Sequence, residues 1–425
     1  MAPTQIVSPW RRYLFVAVVA ALALTAVVWT TMLPGGETVP ASNHGEAAGS
    51  QPGEGSGSDI VVAAPEAPAP AAPAPPPYFL AWTPGGLPFD FRAMVRTVRG
   101  LEATVVVAGD TRWLTRSLDA GGSVIDRPRS PFAIPIDASS VNAVEVAPFL
   151  PAGARGEVVE ALVHGHAVLG TRSAVLRRLG VGGTLEFGDR SVRVGAVVPD
   201  ELIGWSEMLV SREVGTHLGI VDDRYLWALP EGKPGPEAFE HMVRPLIPSN
   251  EPLRVEAPGD SPYMRVANGV NPPIVLKQAF GEFAAALDPA DPAFFRVDPA
   301  WAEANLVTRR VPLLGRLTCH RTFMRDLLRA VHRVQSAGLG SLIHSSAGCF
   351  NARTVARSPT NPPSFHAYGA AVDINAPENP FGATPTMDPR IVAIFEDLGF
   401  NWGGDFLIPD GMHFEFGGGP LASAP

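Results

Sequence analysis

The longest apolar run of the chain lies near its N-terminus. Residues 13–33 carry no charged side chain, and about 20 apolar residues are enough to span a bilayer as a helix. Arg11 and Arg12 precede the run, and no Lys or Arg follows until Arg92. The positive-inside rule therefore predicts a cytoplasmic N-terminus at residues 1–12 and an extracytoplasmic remainder. A cleaved signal peptide is the alternative, but we favour a single-pass anchor because signal peptides have shorter apolar regions.

Residues 34–77 lack the regular apolar positions that a folded core requires. They consist largely of Pro, Ala, Gly, Ser and Glu and end in the segment EAPAPAAPAPPP. Such a composition cannot bury enough apolar surface to order itself, and its Pro-rich end favours an extended and fairly stiff chain. We interpret these residues as a linker that holds the rest of the protein away from the membrane.

Short apolar segments with alternating polar positions predict an α+β domain over residues 78–235. The apolar strand Ala167–Gly170 leads into a helical segment that ends at Gly180. The segments TLEF and SVRVGAVV then flank Gly188 and Asp189, which is the pattern of a β-hairpin. No combination of polar residues in this domain predicts catalysis.

The last third of the chain predicts a second α+β domain with a small antiparallel sheet. Residues 236–272 are Pro-rich and are expected to form an irregular connector, after which residues 273–425 form the domain. An amphipathic helix is expected at His320–Ala337, and a second one is expected to begin at Asp388 and Pro389, its N-cap and first residue. The apolar stripe of the first helix is Phe323, Leu327, Val331 and Val334.

The net charge excludes one class of partner. The formal charge of the chain is -9 at pH 7. Binding to nucleic-acid phosphates needs a basic face, and no Lys/Arg-rich run occurs beyond the N-terminus. We therefore expect no nucleic-acid partner.

Cysteine usage is consistent with export. The chain contains two cysteines, Cys319 and Cys349, and an even number in an exported protein permits one disulfide. The bond would close a loop of about 30 residues and contribute roughly 3 kcal/mol in the chain-entropy model. Two buried free thiols are the alternative.

Two short strands of the C-terminal domain direct polar residues to one side. In the segments AVDIN and HFEF, successive side chains point to opposite faces of the strand. The apolar positions are Val372, Ile374, Phe414 and Phe416. The polar positions opposite them are Asp373, Asn375, His413 and Glu415. The strands can therefore pack one face into a core and present a carboxylate and an imidazole to one cleft.

His366 precedes Asp373 by seven residues and is expected to supply a third group to this cleft together with His413. Two His and one Asp leave one position open on a tetrahedral Zn²⁺, which is how catalytic zinc sites are built. We therefore predict a zinc site at these residues, with a polar network inside the core as the alternative.

A carboxylate beside the metal could act as a general base. Asp410 is the candidate because it lies three residues before His413, and Asp405 and Glu415 are the alternatives.

The segment SFHAYGAAVDIN and the segments WGGDF and DGMHFEF resemble two motifs of one family of zinc peptidases, the D-alanyl-D-alanine carboxypeptidase and L-alanyl-D-glutamate endopeptidase family. The resemblance covers about residues 273–418, roughly a third of the chain. It implies zinc ligation by His366, Asp373 and His413. It also implies that Asp410 is the catalytic acidic residue and that Arg353, in the segment SSAGCFNAR, is an active-site arginine. Many members have Glu where this chain has Asp410, and Asp is frequent in the endopeptidase branch.

The middle domain resembles another kind of protein. The phrases VLGTRSAVLRRLGVGGTLEFGDRSVRVGAVV and ELIGWSEMLVS are similar to the periplasmic core domain of MacB-like transporters. This resemblance implies a docking or scaffolding module, with a possible protein partner, and no chemistry of its own.

These observations predict a zinc-dependent peptidase that is anchored in the cell membrane, with its catalytic domain outside. The expected substrates are the stem peptides or cross-bridges of peptidoglycan. The choice between carboxypeptidase and endopeptidase stays open, because the shape of the groove decides it. The alternative function is that of a catalytically inactive cell-wall-binding or scaffold protein that uses the peptidase fold.

Overall fold

A computed structural model describes residues 78–258 and 271–418 of the chain. All of these residues belong to one compact unit. The predicted anchor at residues 13–33 and the predicted linker at residues 34–77 lie outside the described residues. Within the described ranges, every helix is too short or too polar to cross a bilayer.

The middle domain, residues 78–258, is built around one mixed sheet. Its strands are β1 (Phe79–Trp82), β2 (Leu101–Leu114), β3 (Arg116–Leu118), β4 (Val124–Asp126), β5 (Ile134–Val141), β6 (Ala167–Gly170), β7 (Thr184–Phe187), β8 (Arg190–Val198), β9 (Met208–Ser211), β10 (Asp223–Pro230) and β11 (Arg254–Glu256). Their order in the sheet is β11-β1-β10-β2-β5-β9-β6-β8-β7-β3-β4. Strand β9 runs parallel to β5, and β8 runs parallel to β6.

Short helices connect these strands. They are α1 (Phe91–Val95), α2 (Ala152–Val163), α3 (Thr171–Arg177), α4 (Arg212–Leu218) and α5 (Pro236–Val243). The predicted strand-helix-hairpin sequence is confirmed in β6, α3, β7 and β8. The hairpin pairs Phe187 with Arg190, and Gly188 adopts the positive φ that its tight turn requires.

Residues 236–256 do not form the irregular connector that their prolines predict. Pro236 is the first residue of α5, where a missing N–H removes no helical hydrogen bond. Phe239 and Val243 of that helix are fully buried, and β11 pairs antiparallel with β1 at the edge of the sheet. The prolines therefore lie at the ends of helices and strands in this region, and the middle domain extends past residue 235.

The C-terminal domain, residues 271–418, combines small antiparallel sheets with helices. Its strands are β12 (Ala285–Leu287), β13 (Phe295–Val297), β14 (Leu306–Val311), β15 (Gly315–His320), β16 (Ser346–Gly348), β17 (Ala371–Ile374), β18 (Phe400–Trp402) and β19 (His413–Phe416). Its helices are α6 (Pro273–Phe280), α7 (Pro299–Asn305), α8 (Arg321–Ser336) and α9 (Pro389–Glu396). Strands β12 and β13 pair, as do β14 and β15, and the remaining strands form a sheet in the order β16-β17-β19-β18. The α+β class predicted from the sequence is thus confirmed in both domains.

The two predicted helices of this domain are present, with their apolar faces in the core. The whole predicted stripe of α8 is buried. The side chain of Asp388 accepts a hydrogen bond from the Arg390 amide at 2.9 Å, as an N-cap does. The predicted disulfide is also present, between Cys319 and Cys349. It joins the end of β15 to the segment that follows β16.

Candidate metal centre

Two neighbouring strands carry two residues of the centre. Asp373 of β17 lies directly opposite His413 of β19 in the antiparallel register. Val372 and Phe414, which alternate with them, are completely buried, whereas the Asp373 side chain keeps 17 % of its exposure. Burial of one face of the sheet therefore turns the carboxylate and the imidazole together toward the other face.

A single 3₁₀ turn, Phe365–Tyr368, supplies the third residue. Ser364 caps this turn by accepting a hydrogen bond from the His366 amide at 3.3 Å. Gly369 ends it with φ +65°, and a Cβ at this position would lie 2.5 Å from the amide nitrogen of His320. A glycine is therefore required here. It allows the turn that carries His366 to lead directly into β17.

The three side chains converge on one point. Nε2 of His366 lies 3.2 Å from Nδ1 of His413 and 3.2 Å from Oδ1 of Asp373. Nδ1 of His413 lies 3.1 Å from the same carboxylate oxygen. Tetrahedral bonds of about 2.0–2.1 Å place zinc ligands about 3.3–3.4 Å apart, so this triangle fits the ion. We refer to His366, Asp373 and His413 as the triad.

Each imidazole of the triad is held from behind. The other ring nitrogen of His366, Nδ1, lies 2.7 Å from the backbone oxygen of Cys349, and Nε2 of His413 lies 2.9 Å from Oε2 of Glu415. In a neutral ring, an N–H donated to each of these acceptors leaves the opposite nitrogen, which faces the triad, free to bind a metal. Metal-binding histidines are oriented by such contacts.

Electrostatics in the triad favour a cation at its centre. Burial by itself raises the pKa of Asp373, but the facing imidazoles of His366 and His413 outweigh it and hold that pKa well below its ordinary range. Burial lowers the pKa of His413, yet its hydrogen bonds to Asp373 and Glu415 raise it to about 10. The site therefore attracts positive charge, which a divalent ion would supply.

Asp410 lies beside the triad on a loop that bends sharply back. Its amide donates to the Gly403 carbonyl at 2.8 Å, and a Cβ on Gly403 would lie 2.6 Å from the Asp410 carbonyl oxygen. The indole of Trp402 donates to the Gly411 carbonyl at 3.0 Å and secures the other side of the loop. The two ends of the loop are thus held together by the residues of the WGGD and DG segments.

The carboxyl of Asp410 is poised for proton transfer. Burial raises its pKa, and His413 opposes this while Asp373 adds to it. In the described part of the chain, Oδ1 of Asp410 has no hydrogen-bond partner. A carboxyl with a raised pKa and a free oxygen beside a metal position is suited to accept a proton from a reacting group.

Arg353 lies near the carboxylates of this centre. Burial lowers the pKa of its guanidinium, and the nearby carboxylates of Asp373 and Asp410 raise it. The amide of Ser364 donates to the Arg353 carbonyl at 2.9 Å, which ties the arginine to the turn that carries His366. The guanidinium is therefore placed to hold an anionic group of a substrate near the triad.

The two alternative bases lie elsewhere. Asp405 is exposed, and its charge acts on Glu396 on the outside of the domain. Glu415 is buried behind His413 and faces away from the triangle.

Sequence reasoning missed the two contacts that orient the imidazoles. The pattern of β19 predicts that Glu415 shares a face with His413, but it does not predict that Glu415 holds the ring of His413. The contact between the Cys349 carbonyl and His366 was not predicted either. The sequence carries no local signal for a backbone oxygen that comes from a distant loop.

Comparisons with known proteins agree with part of this description. Residues 357–416 match the family model described as D-alanyl-D-alanine carboxypeptidase. The match includes the triad and Asp410 but not Arg353. No curated protein matches the chain. The C-terminal domain thus contains a segment that is similar to this family.

Two solved structures are similar to part of the chain. One is the periplasmic region of MacB from Actinobacillus actinomycetemcomitans, with 10 % identity and a TM-score of 0.29, over 43 % of this chain and 88 % of that one. The other is the extracellular domain of the noncanonic ABC-type transporter YknZ from Gram-positive bacteria, with 13 % identity and a TM-score of 0.25, over 40 % and 87 %. Both are extracytoplasmic parts of transporters, the class of protein to which the middle domain is similar in sequence.

Proposed function

We propose that this protein is a zinc-dependent peptidase that hydrolyses peptide bonds in the stem peptides or cross-bridges of peptidoglycan. The observation that carries the proposal is the triad, whose three ligand atoms lie 3.1–3.2 Å apart. The triad lies within the residues that match the carboxypeptidase family model.

The residues of the centre divide the reaction between them. When bound, Zn²⁺ supplies Lewis-acid chemistry that activates water and polarises the scissile carbonyl. Asp410 acts as the general base: its free oxygen accepts the proton of the attacking water, and the same carboxyl then protonates the leaving amine. Arg353 holds a substrate carboxylate or the developing oxyanion by charge-assisted hydrogen bonds.

The proposal also covers the location of the enzyme. The apolar run at residues 13–33 and the Pro/Ala-rich run at residues 34–77 support a single-pass membrane protein whose linker carries the catalytic domain toward the cell wall. Both terminal trimming and internal cleavage agree with the chemistry of the centre. Mass spectrometry of muropeptides, after digestion of isolated peptidoglycan, identifies the bond that is cut.

The Asp410→Asn variant tests the proposed reaction. The amide cannot accept a proton, so we expect kcat to fall by about 10²–10⁴ while bound zinc stays stoichiometric. Asp405→Asn is the matched control, since its exposed carboxylate lies outside the centre, and it should keep wild-type kcat. Zinc without turnover in the wild-type chain would instead support the wall-binding scaffold.

A further inference from the structure

Four charged side chains meet at the boundary between the middle and C-terminal domains. Arg177 and Glu207 come from the middle domain, and Lys277 and Glu282 come from the C-terminal domain. Their side chains retain 1 %, 0 %, 1 % and 15 % of their exposure, respectively. We refer to these four residues as the charge quartet.

The contacts of the quartet cross the domain boundary in both directions. Nζ of Lys277 lies 2.7 and 2.9 Å from the two carboxylate oxygens of Glu207 and 2.9 Å from Oε1 of Glu282. A guanidinium nitrogen of Arg177 lies 3.1 Å from Glu207, and another lies 3.1 Å from Glu282. Each domain contributes one cation and one anion, so the buried cluster has no net charge. Every charge is paired both within its own domain and across the boundary.

A lysine at position 277 is unusual in this chain, because nearly all of its basic residues are arginine. Only Lys233 and Lys277 are lysines among 33 basic residues. An ammonium group is compact and can donate in three directions, whereas a guanidinium is planar. The third acceptor of Lys277 is the carbonyl of Pro135 in the middle domain. The acceptors around Nζ therefore fit a compact ammonium group.

The quartet is connected to the metal centre by direct packing. Phe283 follows Glu282 in the chain, and its ring centre lies 4.8 Å from that of Tyr368. Tyr368 belongs to the same 3₁₀ turn as His366 and is 1 % exposed. A shift of Glu282 would therefore be transmitted to the turn that carries a triad residue.

A second connection reaches the segment between Arg353 and His366. Arg224 of the middle domain donates to the Thr360 hydroxyl at 2.7 Å, and the amide of Thr111 donates to the Thr360 carbonyl at 3.0 Å. These two bonds hold the middle of the segment from outside the C-terminal domain.

A third connection reaches the loop that carries Asp410. Leu407 of this loop packs against the apolar core of the middle domain.

We propose that the middle domain is a positioning element of the peptidase, which holds the segments bearing Arg353, His366 and Asp410 in register through the charge quartet and the Thr360 contacts. This inference rests on the proposed function, because it assigns the middle domain a task in that reaction. Catalytic groups must be placed to within fractions of an ångström, so loosening these segments should lower kcat by about 10–100-fold.

The full chain carrying Lys277→Met and Glu282→Gln tests the inference. This pair of changes removes one charge of each sign and leaves Arg177 and Glu207 neutral in sum, which avoids an uncompensated buried charge. Lys233→Met is the control, because that lysine is exposed. In calorimetry the wild type should unfold in one transition that zinc raises as a whole. The double variant should show two transitions, only one of which responds to zinc, with weaker zinc binding and a kcat about 10–100-fold lower.

A second variant, Thr360→Val, tests the other connection without touching the quartet. It should lower kcat while zinc content stays stoichiometric, whereas Thr308→Val, which also removes a hydroxyl hydrogen bond in this domain, should not.

The inference is overturned if the double variant keeps a single zinc-responsive transition or keeps wild-type kcat. It is also overturned if the wild type already unfolds in two transitions of which one ignores zinc. Should the wild type bind zinc but cleave no peptidoglycan, the proposed function fails, while calorimetry and zinc affinity still decide whether the two domains are coupled.

Discussion

The triad and the charge quartet are both buried groups of polar side chains, but their contacts are of different kinds. In the quartet, two cations face two anions, and the ammonium of Lys277 lies between two carboxylates at 2.7–2.9 Å. In the triad, three atoms that can each accept a proton or ligate a metal lie 3.1–3.2 Å from one another. The quartet contains its own cation, and the triad requires one.

This difference separates a structural cluster from a functional one. A buried charge is tolerated when it is paired, and the quartet satisfies that condition within the protein. Beside the triad, the free oxygen of Asp410 and the guanidinium of Arg353 have no comparable closed arrangement. Perturbed and unsatisfied groups are typical of sites that act on a ligand.

Loss of the triad carboxylate should have the largest effect. Asp373→Asn keeps the shape of the side chain but removes the charge that binds the metal, so we expect loss of stoichiometric zinc and a fall of activity to background. Atomic absorption on the purified chain measures the metal. Asp326→Asn, at a buried carboxylate in α8, should leave zinc unchanged. Full zinc content in Asp373→Asn would show that the carboxylate of Asp373 does not bind the metal.

Arg353→Lys should have the next largest effect. Lysine keeps the positive charge but loses the planar, two-pronged donor, so kcat should fall by about 10²–10³ with zinc content unchanged. Arg357→Lys, on the exposed side of the same segment, is the control. A loss of zinc in Arg353→Lys would assign the arginine to the structure of the site instead of to the reaction.

Glu415→Gln should weaken the metal site without destroying it. Glutamine still accepts a hydrogen bond from Nε2 of His413 but removes the negative charge behind the ring, so zinc affinity should fall by about 10–100-fold. Titration against a competing chelator measures the affinity. Glu256→Gln, at a buried glutamate of β11, should not change it. Equal affinities for both variants would contradict the orienting role.

Glu282→Gln should have a smaller effect. The change should lower the stability of the fold by an amount that depends on pH. Burial raises the pKa of Glu282, but Lys277 and Arg177 outweigh it and lower that pKa below 4.5. The carboxylate therefore stabilises the fold above pH 4.5, and this contribution is lost as the pH falls through the lower, folded-state pKa.

We expect the Glu282→Gln variant to be less stable than the wild type by about 2 kcal/mol at pH 7 and by a smaller amount at pH 3. Denaturant unfolding at the two pH values measures both differences, with Glu303→Gln, at an exposed position, as the control. A difference that is the same at both pH values would mean that Glu282 is not ionised in the folded protein.

The sequence by itself determined the local features of the centre. Period-2 alternation correctly places Asp373 and His413 opposite the buried Val372 and Phe414, and the N-cap and apolar stripe patterns predict α8 and α9. Proline content misled the prediction at residues 236–256, because Pro at the first position of a helix looks the same in composition as Pro in a linker.

Only the tertiary structure decided which groups surround that centre. The Cys349 carbonyl behind His366 lies 17 residues away in the chain, and Glu207 and Lys277 lie 70 residues apart. Alternation and capping depend on neighbours within a few residues, so they can be read from the sequence. Contacts at these separations depend on how whole elements pack. The use of one of the two lysines of the chain at position 277 is the trace that the quartet leaves in the sequence.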